Sequence, residues 1–200
     1  MRAGRKQQIL EVLARELEAK PGTRITTAAL AAAVGVSEAA LYRHFPSKAK
    51  MFETLLAFAE DTVFGLFTRI LDQQVNPITR CAQMLQVVLQ FAERNPGIAR
   101  VLTGDILAGE QPRLRVRGEQ FFDRVETQLK QVLRDATLTA GPQPDRALIT
   151  ASANLLTAYA RGRISQFVQG GFRAAPNANW DDQWKTLAAG IFHNTEGDAQ

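Results

Sequence analysis

Apolar residues recur along most of the chain at intervals of three and four, the spacing of a helix with one buried face, and no stretch holds the alternation of a half-buried strand. The first run carries Ile9, Leu10, Val12, Leu13 and Leu17 and stops at Pro21 and Gly22. Two short runs follow: 27–34, with Leu30, Ala33 and Val34 on one face, and 37–44, with Ala40 and Leu41 flanked by Val36 and Phe45. A long run over 47–71 carries Met51, Leu55, Phe58, Val63, Leu66 and Phe67 and tolerates Gly65. The next spans 77–94, with Leu85, Val87, Val88, Leu89 and Phe91, and ends at Asn95, Pro96 and Gly97. A short helix over 98–103 leads to Pro112, after which Leu114, Val116, Phe121, Phe122, Val125, Leu129 and Val132 mark a helix that stops before the loop 139–144. Over 145–167 the pattern shifts to small residues, with Ala147, Ala151, Ala158 and Gly162 beside Leu148, Leu155 and Tyr159. Small residues so spaced permit close helix approach, a seam for a second helix pair. A last helix over 180–192 puts Trp184, Leu187, Ala188 and Ile191 on one face, beside Trp180. The chain reads as all-α.

The two short runs have the layout of a helix-turn-helix. Gly35 can end the first in the left-handed conformation, and Ser37 is a good N-cap for the second, while Thr26 and Thr27 compete to cap the first. Ser37, Glu38, Ala39, Tyr42 and Arg43 fall off the apolar face, so small and polar groups point outward from the N-terminal end of the second helix. A helix entering a major groove needs that arrangement. Tyr42, Arg43, Lys48 and Lys50 are candidate phosphate donors, with His44 beside them and Thr26 at a helix N-terminus. A plain surface helix pair is the bland alternative; turn glycine, cap and basic flanks together favour duplex DNA. The long run begun by Ser47 joins this head to the rest without a flexible linker.

Charge sharpens the division. Residues 1–50 hold nine Lys and Arg against four Asp and Glu, a surplus of five, whereas 51–200 hold fifteen against sixteen. Positive charge concentrated on the head is the footprint of a nucleic-acid module. The basic segment 1–6 could also reach toward phosphates. The single cysteine, Cys81, excludes an internal disulfide and fits a small core position. No apolar run approaches a membrane span and no signal peptide is visible, so a cytoplasmic location is expected.

Catalytic chemistry is not visible. The two histidines, His44 and His193, have no second ligand at metal spacing, and neither a phosphate-cradling glycine loop nor a nucleophile elbow is present. No enzyme activity, metal or cofactor is expected. Arg94 and Asn95 are explained by helix-end chemistry, Arg113, Arg115 and Arg117 by a solvated edge, and Trp180 with Trp184 by core or dimer packing.

The stretch 25–52, reading ITTAALAAAVGVSEAALYRHFPSKAKMF, resembles the N-terminal head of the TetR family of bacterial regulators, where LYxHFxxK closes the recognition helix and opens the fourth. The resemblance continues through FAERNPGIARVLTGDIL and RVETQLKQVLR, outside the head, toward the nucleoid occlusion branch of that family. It implies a three-helix head over 1–47, an all-helical dimerisation and partner-binding domain over 48–194, and a disordered tail over 195–200. It further implies a homodimer on palindromic DNA sites of the nucleoid that engages the division protein FtsZ and blocks ring assembly, with no small-molecule ligand required. By position, Thr26, Thr27, Ser37, Glu38, Ala39, Tyr42, Arg43, His44 and Lys48 then belong to the DNA surface. Arg69, Val87, Gln90, Arg94 and Asn95 belong to the FtsZ surface. Leu148, Ala151, Leu155, Ala158, Tyr159, Gly162 and Trp184 belong to the dimer seam. The alternative is an ordinary ligand-responsive TetR-type repressor, with an apolar ligand among Phe58, Phe91, Phe121 and Phe122.

Overall fold

Caps set the helix boundaries of the N-terminal half. In the computed structural model, which describes residues 4–20, 23–107, 110–138 and 146–192, every regular element is a helix. The head comprises α1 (Arg5–Ala19), α2 (Thr27–Val34) and α3 (Glu38–His44). Thr26, and not Thr27, caps α2, its hydroxyl accepting from the Ala29 amide at 3.1 Å. Ser37 caps α3 through the Ala40 amide at 3.2 Å, and Ser47 caps the next helix through the Lys50 amide at 3.1 Å. Between α2 and α3, Gly35 adopts φ +77°, a left-handed turn that a side chain would strain.

From Ser47 the chain enters α4 (Lys48–Gln73), 26 residues and so about 39 Å long. A short turn reverses it into α5 (Pro77–Arg94), capped by Asn76, and Asn95 starts α6 (Pro96–Leu102). Then come α7 (Pro112–Leu138), α8 (Arg146–Gln169) and α9 (Trp180–Phe192). α5 lies at the centre of the body, against α4, α6, α7, α8 and α9. One apolar cluster runs from Ile9 in α1 through Met51 and Phe52 in α4 to Leu89, Leu129, Leu156 and Ile191, continuous across residue 47. Cys81 is buried within it, and burial pushes its thiol up to about 12. No helix among the described residues is long and apolar enough to cross a membrane. Pro21, Gly22, the loop 139–144, His193 and the expected tail 195–200 lie outside the described residues.

Four apolar assignments are corrected. In α4 the buried positions include Met51, Phe52, Leu55, Leu56, Ala59, Val63 and Phe67, while Phe58 and Leu66 are 49% and 37% exposed. Wherever the pattern offers neighbours three and four residues on, the helix turns in Ala59 rather than Phe58 and Phe67 rather than Leu66. In α2 it is Ala31, and not Ala33, that is buried with Leu30 and Val34. Val116 of α7 is likewise 49% exposed.

Glycine content separates tight from open sites. At Gly97 an added Cβ would overlap the Ala14 carbonyl of α1 and fall 3.1 Å from Leu17 Cβ, whereas at Gly65 it would meet nothing within 4 Å. Gly97→Ala should therefore cost about 1–3 kcal/mol through overpacking, and Gly65→Ala should add up to ~1 kcal/mol of helix stability. Urea unfolding midpoints of the two variants check both signs; equal midpoints would contradict this account of the α1–α6 approach.

Candidate nucleic-acid interface

The outer face of the head is built from helix ends. With Leu41 buried at the centre of α3, Ser37, Glu38, Ala39, Tyr42 and Arg43 are all exposed, Tyr42 at 43%, and His44 is half-buried. These residues form one surface at the N-terminal end and outer side of α3, as their spacing predicts. Thr26 is exposed at the N-terminus of α2, where its hydroxyl already accepts from the backbone but retains a proton to give. Thr27 Oγ1 donates to Glu38 Oε2 at 2.8 Å, which ties α2 to the first turn of the recognition helix. That bond fixes the direction of a carboxylate able to accept from a cytosine amino group.

Lys48 differs from expectation in its surroundings. Its ammonium sits 2.6 Å from Glu110 Oε1, both side chains are under one-fifth exposed, and the charge lies 5.5 Å from the centre of the Phe52 ring. A phosphate must therefore compete with Glu110 for it. Nothing in local spacing announces this partner, 62 residues away. Lys50 is more open and pairs with Glu53 at 3.2 Å, and Arg113 holds the other oxygen of the same carboxylate at 3.0 Å. A groove of about 420 Å³ runs between the start of α1 and the α3–α4 junction, lined by Lys6, Gln7, His44, Pro46 and Lys50 among others. It brings Lys6 beside Lys50 and His44, and Gln7 is a lining residue that periodicity did not single out.

The residues assigned to the FtsZ surface do not all converge. Gln90 and Arg94 are exposed, Val87 and Asn95 are half-buried, and all four occupy the C-terminal half of α5 and its end. Asn95 Nδ2 donates to the Phe91 carbonyl at 2.9 Å, a helix-end bond. Because α4 and α5 form an antiparallel hairpin, the part of α4 facing this end is near Phe58, whose ring is 6.1 Å from that of Phe91. Arg69 lies eleven residues further along α4, about 16 Å away along the axis. It belongs to the other end of the hairpin. Beside Phe58, an open cavity of about 340 Å³ is bounded by Leu10, Thr54, Asp61, Asn95 and Ile98. The exposed Phe58 is the residue that periodicity misses, hidden by the ambiguity between positions three and four apart.

The four phenylalanines considered for an apolar ligand are split between two places. Phe121 and Phe122 are buried edge-on to each other at 5.3 Å, with Phe64 at 5.5 Å from Phe121, while Phe58 faces solvent beside Phe91. On α8, Leu148, Ala151, Leu155, Ala158 and Gly162 form one exposed stripe, Leu155 at 51%. Tyr159 instead turns toward α9, donating to Gln183 Oε1 at 2.6 Å, and burial raises its pKa. Trp184 stacks on Trp180 with ring centres 5.6 Å apart and remains half-buried.

Family comparison bears on both halves. Residues 9–55 match the model of bacterial regulatory proteins of the tetR family, and residues 75–191 match the SlmA-like model of the tetracyclin repressor-like C-terminal domain. The chain belongs to the TetR family. Members of this family are DNA-binding regulators, and the body of this TetR-family chain is of the SlmA-like type. It is 52% identical over 190 residues to the nucleoid occlusion factor SlmA of Marinomonas sp. (strain MWYL1), covering 95% of this chain and 96% of that protein. It is also 52% identical over 185 residues to the nucleoid occlusion factor SlmA of Shewanella sp. (strain W3-18-1), covering 92% of each. Among solved structures, the TetR family transcriptional regulator PfmR from Thermus thermophilus superposes with a TM-score of 0.72 at 20% identity, over 90% of this chain and 96% of that one. That likeness bears on fold.

The Lys48–Glu110 pair generates a test on this DNA-binding regulator. A partly exposed ion pair is worth about 0.2–1 kcal/mol, so Glu110→Gln should tighten binding to a mixed-sequence duplex by up to about fivefold. Lys48→Ala should weaken binding and make the slope of log K against log salt shallower by about 0.9. Anisotropy titrations across a salt series read both, and an unchanged slope for Lys48→Ala would remove Lys48 from the DNA surface.

Proposed function

We propose that this protein is a nucleoid occlusion factor that binds palindromic sites on chromosomal DNA as a two-fold dimer and, in that state, engages FtsZ and hinders assembly of the division ring over the nucleoid. The observation that carries the reading is the extent of the likeness: 52% identity to proteins named for nucleoid occlusion spans the body as well as the head. A head match alone would favour any TetR-type regulator.

Features of the molecular surface support the reading. The recognition helix exposes short and polar side chains at its start, as direct readout in a major groove requires. The stripe on α8 is small, apolar and uncovered in the single chain, and spaced at three and four residues to meet a copy of itself. A dimer on that seam would present two recognition helices to successive major grooves about 34 Å apart. The FtsZ surface is placed at the C-terminal end of α5, with Gln90, Arg94 and Asn95, and with Phe58 rather than Arg69 as the contribution of α4. Arg94 and the exposed Phe58 ring offer a cation and an apolar contact to a short peptide carrying both acidic and apolar side chains, beside a cavity whose lining also includes Glu11 and Asp61.

Co-sedimentation of purified FtsZ polymers with this protein tests the reading, with and without a palindromic duplex. The expected outcome is a DNA-dependent loss of pelleted FtsZ, abolished in Gly162→Glu, which sediments as a monomer. FtsZ polymers indifferent to the protein and DNA together would leave an ordinary TetR-type repressor.

A further inference from the structure

Arg100 is the only buried charged side chain among the described residues, 1% exposed, and it lies in α6 rather than in the head. Its Nη1 donates to two carbonyls at the C-terminal end of α1, Leu17 in the last turn at 2.8 Å and the capping residue Lys20 at 2.9 Å, and its Nε donates to Asp105 Oδ2 at 2.6 Å. The Leu17 carbonyl is among the groups a helix leaves without an intrahelical partner at its C-terminus, while the Lys20 carbonyl also accepts from the Thr23 amide at 3.2 Å and hydroxyl at 2.9 Å; α1 has no basic residue of its own in its last turn. The guanidinium therefore completes α1 from some 80 residues away, in a position where positive charge also complements the helix dipole. Its planar fork holds both directions at once, which a lysine could not do. One turn earlier, Gly97 lets α6 approach the backbone of α1 at Ala14.

The contact is directional, and direction is what a dimeric reader needs. Each head must present its recognition helix at one angle and one spacing from its twin. α1 crosses both α2 and α3, so tilting α1 tilts the recognition helix. We propose that Arg100, steadied by Asp105, is a positioning residue for DNA recognition: by clamping the carbonyl end of α1 to α6 it sets the orientation of the head on the body and thereby the half-site spacing the dimer accepts. This rests on the dimeric DNA-binding reading above. The residue touches no DNA, and its effect passes through α1.

The test has two readouts that a merely stabilising side chain would not move. Arg100→Gln removes the clamp; Asp105→Asn, at a 31% exposed partner, loosens it while leaving the guanidinium in place and guards against a variant that fails to fold. Spin labels at Arg43→Cys report the distance between the two heads of a dimer, and Cys81 stays unlabelled because it is buried and its thiol is held up to about 12. The wild type should give one narrow interhead distance, Arg100→Gln a broad distribution, and Asp105→Asn an intermediate one. The second readout uses a palindromic duplex selected by the wild type from a random-sequence pool, and the same duplex with one base pair inserted at its centre. The wild type should bind the inserted duplex at least tenfold more weakly, and Arg100→Gln should reduce that ratio to threefold or less. An unchanged interhead distribution together with an unchanged ratio, even with a lowered melting temperature, would overturn the proposal and leave Arg100 a plain stabilising residue. A wild type that selects no duplex would instead refute the DNA reading, and the interhead distances would then decide the clamp alone.

Discussion

The architecture depends on one close approach, that of α6 to α1. An α-helix leaves its last carbonyls unpaired, and a charged guanidinium is costly to bury unless its donors are used. Arg100 meets both demands with the same three hydrogen bonds, to Leu17, Lys20 and Asp105. Removing the acceptors would leave a buried charge unpaired, and removing Arg100 would strand the Leu17 carbonyl, whereas the Lys20 carbonyl keeps the Thr23 amide and hydroxyl as donors. Gly97 makes the geometry possible, since no side chain fits between α6 and the Ala14 carbonyl. The head is thereby seated on the body through α6 as well as through the unbroken path from Ser47 into α4.

Two further polar contacts brace the same junction from the other side. Glu110, just before α7, holds Lys48 in the first turn of α4, and Arg117 of α7 grips Glu60 of α4 through two bonds of 3.0 and 2.9 Å, which raises the guanidinium pKa chiefly through that carboxylate. The first turn of α4 is thus tied to the body through Lys48. A phosphate that draws Lys48 away from Glu110 frees a residue only a few positions past the α6 turn.

The helix inventory was legible because its signals are local. Thr26, Ser37, Ser47 and Asn76 cap through amides three residues on, and Gly35 takes the turn its place suggests. The exposed set on α3 followed from the inward face read at Ala40 and Leu41, of which Leu41 is buried and Ala40 half-buried. What escaped has non-local causes. Arg100 sits in a sequence that reads as an ordinary surface arginine, and its acceptors are some 80 residues away. Lys48 reads as a free phosphate donor until Glu110 is placed beside it. Phe58 and Ala59 are both credible core positions by periodicity, and only the packing of α5 and α1 decides that Phe58 faces out. Arg69 was grouped with Arg94 by the family resemblance, but the antiparallel turn puts them at opposite ends of the hairpin.

The central claim is that head and body form one mechanical unit through the α1–α6 junction. Native-state hydrogen exchange at low urea measures this directly, by comparing the opening free energies of α1 amides such as Leu13 and Leu17 with those of α5 amides such as Leu85 and Leu89. A single unit predicts that both sets converge on the same opening free energy and the same urea dependence. Head amides that open at a clearly lower free energy, while α5 remains protected, would contradict it.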